Sequence, residues 1–249
     1  MTAPMTGKHV RIAIIDSGVH AGHPHVGGVA GGVSIDDEGE GDDYLDRLGH
    51  GTAVTAAIKE KAPDAELFAV RVFDRTLSTS LARLLRAIDW SVRSQMHLIN
   101  LSLGTARPDH GPALADAVKH AEEHGVIIVS ADQDEDGVHW LPGSLPGVLG
   151  VRVDWEIARE EFRADRTTTR GVFYASGYPR PIPGVPPARN LNGISFAVAN
   201  MTAFCAHALE AVPSASYDQL VEALIASSSG EGTSSRSISR GSNLVNPPA

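Results

Sequence analysis

Short apolar runs alternate with helical patterns along most of this 249-residue chain, and this alternation limits the folds open to it. The runs VRIAII, residues 10 to 15, and ELFAVRVF, residues 66 to 73, have the length of buried strands. Between residues 78 and 94, apolar side chains recur every three or four positions, which predicts an amphipathic helix with Ser78 or Ser80 as its N-cap. The pattern predicts an α/β fold with a doubly wound, mostly parallel sheet flanked by helices.

The alternation continues through the middle of the chain. HLINLSL, residues 97 to 103, predicts another strand, and the helix predicted over residues 112 to 124 ends at Gly125, as a glycine C-cap would end it. The strand VIIVSA, residues 126 to 131, follows at once. Because the connections are short and the length is usual for an α/β enzyme, we expect one domain over residues 1 to 249.

Three stretches carry neither pattern. Residues 27 to 49 are rich in glycine and acidic side chains, and residues 176 to 193 contain five prolines. Both are expected to be irregular loops. The Ser-rich segment from 226 to 240 is expected to be flexible.

Composition restricts the partners and the compartment. A formal net charge of −9 argues against non-specific binding to nucleic acid or anionic membranes, and fits a peptide partner with basic residues. The single cysteine, Cys205, excludes an intramolecular disulfide. The first ten residues lack the apolar core of a signal peptide, and no continuous apolar run reaches membrane-spanning length. We therefore expect a soluble cytoplasmic protein.

Three separate segments carry an acid, a base and a nucleophile: RIAIIDSG with Asp16, GHGTAV with His50, and NGISFAV with Ser195. Asp16 ends a predicted strand, where doubly wound sheets place their sites, and His50 and Ser195 each open a helical pattern. A serine hydroxyl needs a neutral imidazole to take its proton, and the imidazole needs a carboxylate to fix its tautomer.

Each segment alone has an ordinary interpretation. Asp-Ser-Gly after a strand is usually a turn, Gly-His-Gly-Thr at a helix start is usually a cap, and Ser195 alone could be an N-cap. Their joint occurrence in the order Asp, His, Ser favours a catalytic triad, because this is the order found in the subtilisin family. The chain thus resembles a subtilisin-like serine protease.

Further segments extend the resemblance over nearly the whole chain: HPHV at 23 to 26, INLSLG at 99 to 104, LPGSLPGVLGV at 141 to 151 and GSNLVN at 241 to 246. The resemblance implies a subtilisin-like fold in which Ser195 attacks a peptide carbonyl, His50 moves the proton and Asp16 orients His50. It also implies that the backbone of Ser102, Leu103 and Gly104 pairs with an extended peptide. The alternative for these three residues is a buried strand ending in a turn.

The chain departs from the family where an oxyanion-hole asparagine is usual. The family's Ala-Ala-Gly-Asn run is replaced here by Ala131, Asp132, Gln133 and Asp134. Alignment without a gap places Asp134 at the asparagine, and a one-residue deletion places Gln133 there. The amide of Gln133 can donate, whereas Asp134 can donate only when protonated. The alternative is a solvated acidic loop.

Two more departures surround the predicted nucleophile and base. Ile194 and Ala199 stand where the family has threonine and proline, and Ala53 replaces the second histidine of His-Gly-Thr-His. We expect weakened or specialised catalysis, with the Ala53 change affecting packing only.

The acidic loop before His50 has three interpretations. It is a solvated face, or a calcium site of the kind relatives often have, or a surface that attracts Lys and Arg side chains of a substrate. The last interpretation involves six acidic residues: Asp42, Asp43, Asp46, Asp134, Glu135 and Asp136. No ordered ligand spacing supports calcium, so no metal ligand and no cofactor are assigned.

The leading hypothesis is a serine endopeptidase that performs limited processing of a specific peptide or precursor. The alternative is a catalytically weak or inactive pseudoenzyme that binds peptides in its groove. A third possibility, an esterase or amidase acting on small acyl substrates, uses the same mechanism.

Overall fold

One nine-stranded sheet organises the computed structural model, which describes residues 4–168, 170–186 and 189–229. In space the strands run β3-β2-β4-β1-β5-β6-β7-β9-β8. The seven inner strands of this order are all parallel to one another. Only the edge strands β3 and β8 pair antiparallel. The strands are β1 (Arg11–Asp16), β2 (Gly31–Ile35), β3 (Glu40–Gly41), β4 (Glu66–Arg71), β5 (Leu98–Leu101), β6 (Ile127–Ala131), β7 (Val148–Val153), β8 (Phe162–Ala164) and β9 (Val172–Ala175).

Helices cover both faces of the sheet. The helices are α1 (His50–Lys61), α2 (Leu81–Arg93), α3 (Gly111–Glu123), α4 (Ile194–Ala211) and α5 (Tyr217–Ser227), with a 3-10 turn at Pro108–His110. Along β1, Ile12 and Ile14 pack in a core with α1, α4 and α5, whereas Ala13 and Ile15 pack in a second core with α2 and α3. Burial on both faces explains why residues 12 to 15 of β1 are all apolar rather than alternately apolar and polar. The predicted doubly wound α/β class is confirmed.

The predicted helices form for the reasons that the sequence indicates. In α2, Leu84, Ile88 and Val92 are buried on one side, and the Ser80 hydroxyl accepts a hydrogen bond from the Arg83 N–H at 3.2 Å. Ser80 is therefore the N-cap, and the alternative, Ser78, is not. After α3, Gly125 has a φ of 71°, a left-handed conformation that suits glycine.

The prediction that residues 27 to 49 are irregular is wrong in part, because they contain β2 and β3. The sequence of β2, GGVSI, has two glycines and no long apolar run, so its strand character depends on pairing with β4. The Pro-rich stretch contains no helix or strand in its described parts, 176–186 and 189–193. The GSNLVN segment and most of the Ser-rich segment lie outside the described residues.

α4 is the central helix of the larger core. It is long and apolar enough to cross a membrane by length and composition, yet most of it is buried inside the protein. Cys205 lies on this helix with no exposed surface, and burial raises the pKa of its thiol. These features are those of a core helix, and its first residues carry Ser195.

Candidate active site

Asp16 and His50 form the most strongly defined pair in the site. β1 carries Asp16 to the carboxyl edge of the sheet, where its side chain is 1% exposed. The Nδ1 atom of His50, the first residue of α1, lies 2.8 Å from Asp16 Oδ1 and 3.0 Å from Oδ2. Because a carboxylate accepts, Nδ1 carries the proton, and Nε2 is left as an acceptor in the neutral ring.

The environment raises the pKa of His50 above its ordinary value. Burial of the ring acts in the opposite direction, since it disfavours the charged imidazolium. The hydrogen bond and the charge of Asp16, with the charge of Asp46, outweigh burial. The imidazolium that forms when His50 accepts a proton is therefore stabilised.

The carboxylate of Asp46 holds the start of α1 in place. Its Oδ1 accepts hydrogen bonds from Ser17 Oγ at 2.9 Å, Leu48 N at 2.9 Å and Gly49 N at 2.8 Å. Its Oδ2 accepts from Thr52 N at 2.9 Å and Thr52 Oγ1 at 2.6 Å. These hydrogen bonds hold the pKa of Asp46 below its ordinary value despite the opposing effect of burial. The N-cap residue Gly49 has no side chain. Asp46, three residues earlier, therefore accepts the hydrogen bond from a first-turn N–H group that an N-cap side chain would otherwise accept.

The same network reaches Asp16. Ser17 Oγ accepts a hydrogen bond from Gly51 N at 2.9 Å, and Ser17 N donates to Asp16 Oδ1 at 2.7 Å. The end of β1 and the first turn of α1 are thus tied together through side chains. One of the three interpretations of the acidic loop placed Asp46 on a surface that attracts basic side chains, but its carboxylate is instead engaged at the start of α1.

Ser195 is the second residue of α4 and reaches the same region. Its hydroxyl donates to the main-chain oxygen of Ser102 at 3.4 Å, and the ring of the next residue, Phe196, lies 6.1 Å from the His50 ring. The hydrogen bond of the Ser195 hydroxyl is thus to Ser102 rather than to His50. Hydrogen bonds between nucleophile and base are often long in unliganded sites.

The start of α4 presents free main-chain donors. Gly193, the N-cap, has a φ of 142°, and the first intrahelical donors are Phe196 N and Ala197 N, which both bond to Gly193 O. The N–H groups of Ile194 and Ser195 have no hydrogen-bond partner within the described part of the chain. Such groups at a helix N-terminus favour negative charge.

The hydrogen bonds of Asp134 disfavour a donor role for this residue. Its carboxylate accepts hydrogen bonds from Val138 N at 2.9 Å, Trp140 Nε1 at 3.0 Å and Asp136 N at 3.1 Å. The bond from Val138, followed by the one from Trp140, holds the pKa of Asp134 below its ordinary value. An ionised carboxylate closing its own turn cannot donate to an oxyanion.

Gln133 remains a candidate donor. Its Nε2 donates to Gly137 O at 2.9 Å, and an amide nitrogen has a second hydrogen. Gln133 also borders a cleft of about 280 Å³, called here the Glu135 cleft, together with Glu135, Trp155 and Gly193. Gly193 is two residues before Ser195, so this cleft adjoins the nucleophile.

Ser102, Leu103 and Gly104 follow β5 as a half-exposed segment, called here the substrate edge. The main-chain groups of Leu103 and Gly104 make no hydrogen bond within the described residues, so they are free to pair with an added strand. A Cβ at Gly104 would lie 2.8 Å from Leu141 O, which explains the glycine. Beside Leu103 lies a cavity of about 320 Å³.

Sequence reasoning missed a buried ionic cluster behind the Glu135 cleft. Asp132 has no exposed surface, and its carboxylate pairs with Arg152 at 2.6 Å and Arg170 at 2.7 Å. Arg152 also pairs with Asp165 at 2.8 Å. The only signal in the sequence was that Asp132 directly follows an apolar strand. Asp132 was considered there only as part of the changed oxyanion segment.

Three acidic residues of the acidic loop pair with arginines. Asp37 pairs with Arg83 at 2.7 Å, and Glu40 with Arg93 at 2.6 Å. Asp43 pairs with Arg47, also at 2.6 Å. Attraction of basic substrates by this loop, which the sequence left open, is therefore not supported for Asp43 and Asp46.

Among the residues that the structure describes, no three His, Cys, Asp or Glu side chains are grouped so that they could hold a metal ion.

A serine at a helix start, with a histidine and a buried aspartate at the end of a parallel strand, is the arrangement that serine hydrolases use. The family model described as "Subtilase family" matches residues 7–151. The chain belongs to the subtilase family.

Two curated relatives are named as proteases. "Minor extracellular protease Epr" of Bacillus subtilis (strain 168) is 38% identical over 143 residues, which is 53% of this chain and 21% of the relative. "M-protease" of Shouchella clausii (strain KSM-K16) is 29% identical over 264 residues, covering 98% of this chain and 65% of the relative. The chain thus spans less than two thirds of the length of either relative.

Solved structures agree on the fold. The structure of "Sphericase" has a TM-score of 0.71 with 23% identity, and the similarity covers 91% of this chain and 85% of that one. The subtilisin-like resemblance found in the sequence is confirmed.

Proposed function

We propose that this chain is a serine endopeptidase in which Ser195 is the nucleophile, His50 the general base and Asp16 the group that orients His50. The observation that carries the proposal is the hydrogen bond from His50 Nδ1 to the buried Asp16 carboxylate, 2.8 Å long. It fixes the tautomer in which Nε2 can accept the serine proton. The position of Ser195 at the start of α4 supplies the second part of the argument.

The proposed reaction has two halves. Ser195 Oγ attacks the carbonyl carbon while its proton passes to His50 Nε2, and His50 then gives that proton to the leaving amine. A water molecule next attacks the acyl-enzyme, losing a proton to His50, and the returning proton restores the Ser195 hydroxyl. Asp16 stays ionised throughout and stabilises the imidazolium.

The charge that develops on the carbonyl oxygen needs donors. The free N–H of Ser195 is the first, because it lies at the helix N-terminus beside the nucleophile. We assign the second to the side-chain amide of Gln133. Since Gln133 is already bonded to Gly137 O, this donor is less free than an unengaged side-chain amide.

The pseudoenzyme remains the second candidate. The aspartate at the usual asparagine position and the replacement of threonine by Ile194 favour it. The intact hydrogen bond between Asp16 and His50 opposes it, because a groove that only binds peptides does not need an oriented imidazole. Esterase or amidase action shares the nucleophile and is separated from endopeptidase action by the substrate.

For the substrate, we propose limited processing of a particular peptide with a basic residue before the scissile bond. The acidic loop no longer supports this preference, but the Glu135 cleft does. Glu135 and Asp134 line it together with the ring of Trp155. The cation of Arg152 in its wall is balanced by Asp132 and Asp165, so the cleft keeps a negative character.

A cytoplasmic location is also a proposal. Its support is the single cysteine, which requires no oxidising compartment. One relative is named as an extracellular protease, so export of this protein is the alternative. Immunodetection in cell and culture-medium fractions separates the two.

Labelling with a fluorophosphonate tests the central proposal. We expect the wild-type protein to be labelled and to cleave a peptide library, and Ser195→Ala to lose both. Ser214→Ala is the matched control, since Ser214 is an exposed serine distant from the site. Labelling without peptide cleavage would favour an esterase, and no labelling at all would favour the pseudoenzyme.

A further inference from the structure

A cavity of about 300 Å³ adjoins the first turn of α1, and the proposed reaction does not use it. It is called here the histidine cavity, because His20, His23 and His25 line it together with Arg180. Its wall includes Ala53, three residues after His50, and Leu191, four residues before Ser195. The cavity therefore adjoins both of the segments that carry the nucleophile and the base.

The histidine cavity and the Glu135 cleft share no lining residue. The Glu135 cleft is built by the segment after β6, by residues at and just after the end of β7, and by the start of α4. The histidine cavity is instead built by the segment after β1, the start of α1 and the loop between β9 and α4. The histidine cavity contains no residue of the substrate edge or of the segments after β6 and β7. Because the Glu135 cleft is assigned to the residue before the scissile bond, the histidine cavity is the recess beside the catalytic segments that is left for residues after the bond.

The histidine cavity is lined by one guanidinium and by three imidazoles, each of which supplies at least one N–H donor. His23 Nδ1 accepts a hydrogen bond from His25 N at 3.2 Å, so the neutral ring of His23 carries its proton on Nε2. Arg180 adds a guanidinium, whose Nη1 also donates to His25 O at 3.3 Å. Arg180 lies 3.9 Å from Glu60, a long contact that leaves most of its donors available.

The one carboxylate in the wall, Asp46, is not available to a cation. Both of its oxygens already accept hydrogen bonds, five in all, from Ser17, from its own loop and from Thr52. A cationic side chain entering the cavity would therefore meet the guanidinium of Arg180 and no unengaged carboxylate.

The rings are not arranged as metal ligands. The centroids of His23 and His25 are 5.2 Å apart with ring planes at 83°, and those of His20 and His23 are 6.4 Å apart. A zinc ion needs nitrogen atoms that converge at about 2.0 to 2.1 Å, and no such group of three occurs among the described residues. The same groups can each donate to a larger anion such as a carboxylate.

We propose that the histidine cavity binds an acidic side chain of the substrate, located just after the scissile bond. This inference rests on the proposed endopeptidase function and adds a preference for the substrate residues after the scissile bond. Together with the Glu135 cleft, it describes a substrate that is basic before the cut and acidic after it. The small side chain of Ala53 leaves the room that such a group needs.

The test uses quenched fluorescent peptides that differ only at the two positions after the bond, Asp-Asp against Asn-Asn. For the wild type we expect kcat/KM to favour the acidic peptide by about 10-fold, the effect of one or two charge-assisted hydrogen bonds. In the double variant His23→Gln, Arg180→Gln the ratio should fall close to one. His120→Gln, an exposed histidine on α3, is the matched control and should keep the wild-type ratio.

Equal cleavage of both peptides by the wild type would overturn the inference while leaving the endopeptidase proposal intact. If no peptide is cleaved, a binding measurement decides instead. Fluorescence anisotropy of labelled leaving fragments, beginning Asp-Asp or Asn-Asn, is measured with the Ser195→Ala protein. Tighter binding of the acidic fragment, lost in the double variant, supports the cavity assignment, and equal binding of the two fragments overturns it.

Discussion

The carboxylate of Asp46 accepts two hydrogen bonds from Thr52, one from the main-chain N at 2.9 Å and one from Oγ1 at 2.6 Å. Thr52 is two residues after His50, so this contact fixes the turn that carries the base. The residue is also close enough for its charge to raise the pKa of His50. Asp46 is therefore a positioning residue with two separable effects, one geometric and one electrostatic.

Asp46→Asn should reduce kcat for peptide cleavage by about 10-fold. The amide nitrogen of the new side chain cannot accept the hydrogen bonds that one carboxylate oxygen accepts now, so the first turn of α1 would be held less firmly. Loss of the negative charge should also lower the pKa of His50. Since the base must be neutral, the acid limb of the pH profile should then move to lower pH. The matched control is Asp43→Asn, an exposed aspartate in the same loop paired with Arg47.

A purely structural role would reduce activity without moving the acid limb, so the pH profile of kcat separates the two effects. The stability of the wild type carries a related signal. The folded-state pKa of Asp46 is lowered, so its contribution to stability is complete above about pH 4 and is lost as the pH falls through that lowered value. Acid unfolding of Asp46→Asn should lack this component.

Asp16→Asn should lower kcat by about 10⁴-fold, because the amide can hold His50 in the wrong tautomer. The fold should persist, since the new side chain has the same size and can still accept from Ser17 N. Circular dichroism and urea unfolding check the fold, and single-turnover cleavage checks the rate. A loss smaller than about 10-fold would contradict the assigned role of Asp16.

Much of this site is readable from the sequence because its parts are local. Asp16 follows an apolar run, and His50 and Ser195 begin helical patterns, so each segment predicts its own position at a strand end or a helix start. The alternation of runs predicts the sheet that brings these ends to one edge. Local pattern was enough to predict that Asp16 ends a strand and that His50 and Ser195 lie at helix starts.

What the sequence did not predict depends on contacts between distant residues. Strand β2 is short and glycine-containing, and only its pairing with β4 makes it a strand. The ion pairs of the acidic loop could not be predicted, because the partners Arg83 and Arg93 come from α2, more than 40 residues away. The ion pairs of Asp132 were not predicted, because its partners Arg152 and Arg170 come from later parts of the chain.

The two candidates for the oxyanion donor should respond differently to substitution. Gln133→Ala should lower kcat by about 10²-fold, the usual cost of one lost oxyanion donor. Asp134→Asn should leave the shape of the pH profile unchanged, because Asp134 is ionised and bonded within its own turn. A faster Asp134→Asn enzyme with a broader alkaline limb would return the donor role to position 134.

Glu135→Gln should weaken the preference for a basic residue before the scissile bond by about 2-fold to 5-fold, the range for an exposed ion pair. The hydrogen bond from Trp155 Nε1 to Glu135, 2.7 Å long, can persist to the amide oxygen, so the cleft should keep its shape. Glu38→Gln, in the loop between β2 and β3, controls for net charge. The paired measurement is kcat/KM for lysine against glutamine peptides at low and high salt, and the difference should shrink with salt.

Asp132→Ala should destabilise the protein by about 3 kcal/mol or more, because removal of one partner leaves buried charge without compensation. Two guanidiniums depend on this carboxylate: Arg152 at 2.6 Å and Arg170 at 2.7 Å. The side chain of Arg152 is only 19% exposed, so water replaces little of the lost interaction. Arg152 keeps its pair with Asp165, which limits the loss.

The comparison is with Asp89→Ala, which removes one of the two carboxylates that pair with Arg93 on the exposed side of α2. That surface pair should contribute less than about 1 kcal/mol, as exposed ion pairs do. Urea unfolding of both variants gives the two free energies, and the slope of the transition shows whether the denatured state has changed. If Asp132→Ala unfolds at the same urea concentration as Asp89→Ala, the buried cluster does not stabilise the fold, and its role must be sought in the shape of the Glu135 cleft, which Arg152 borders.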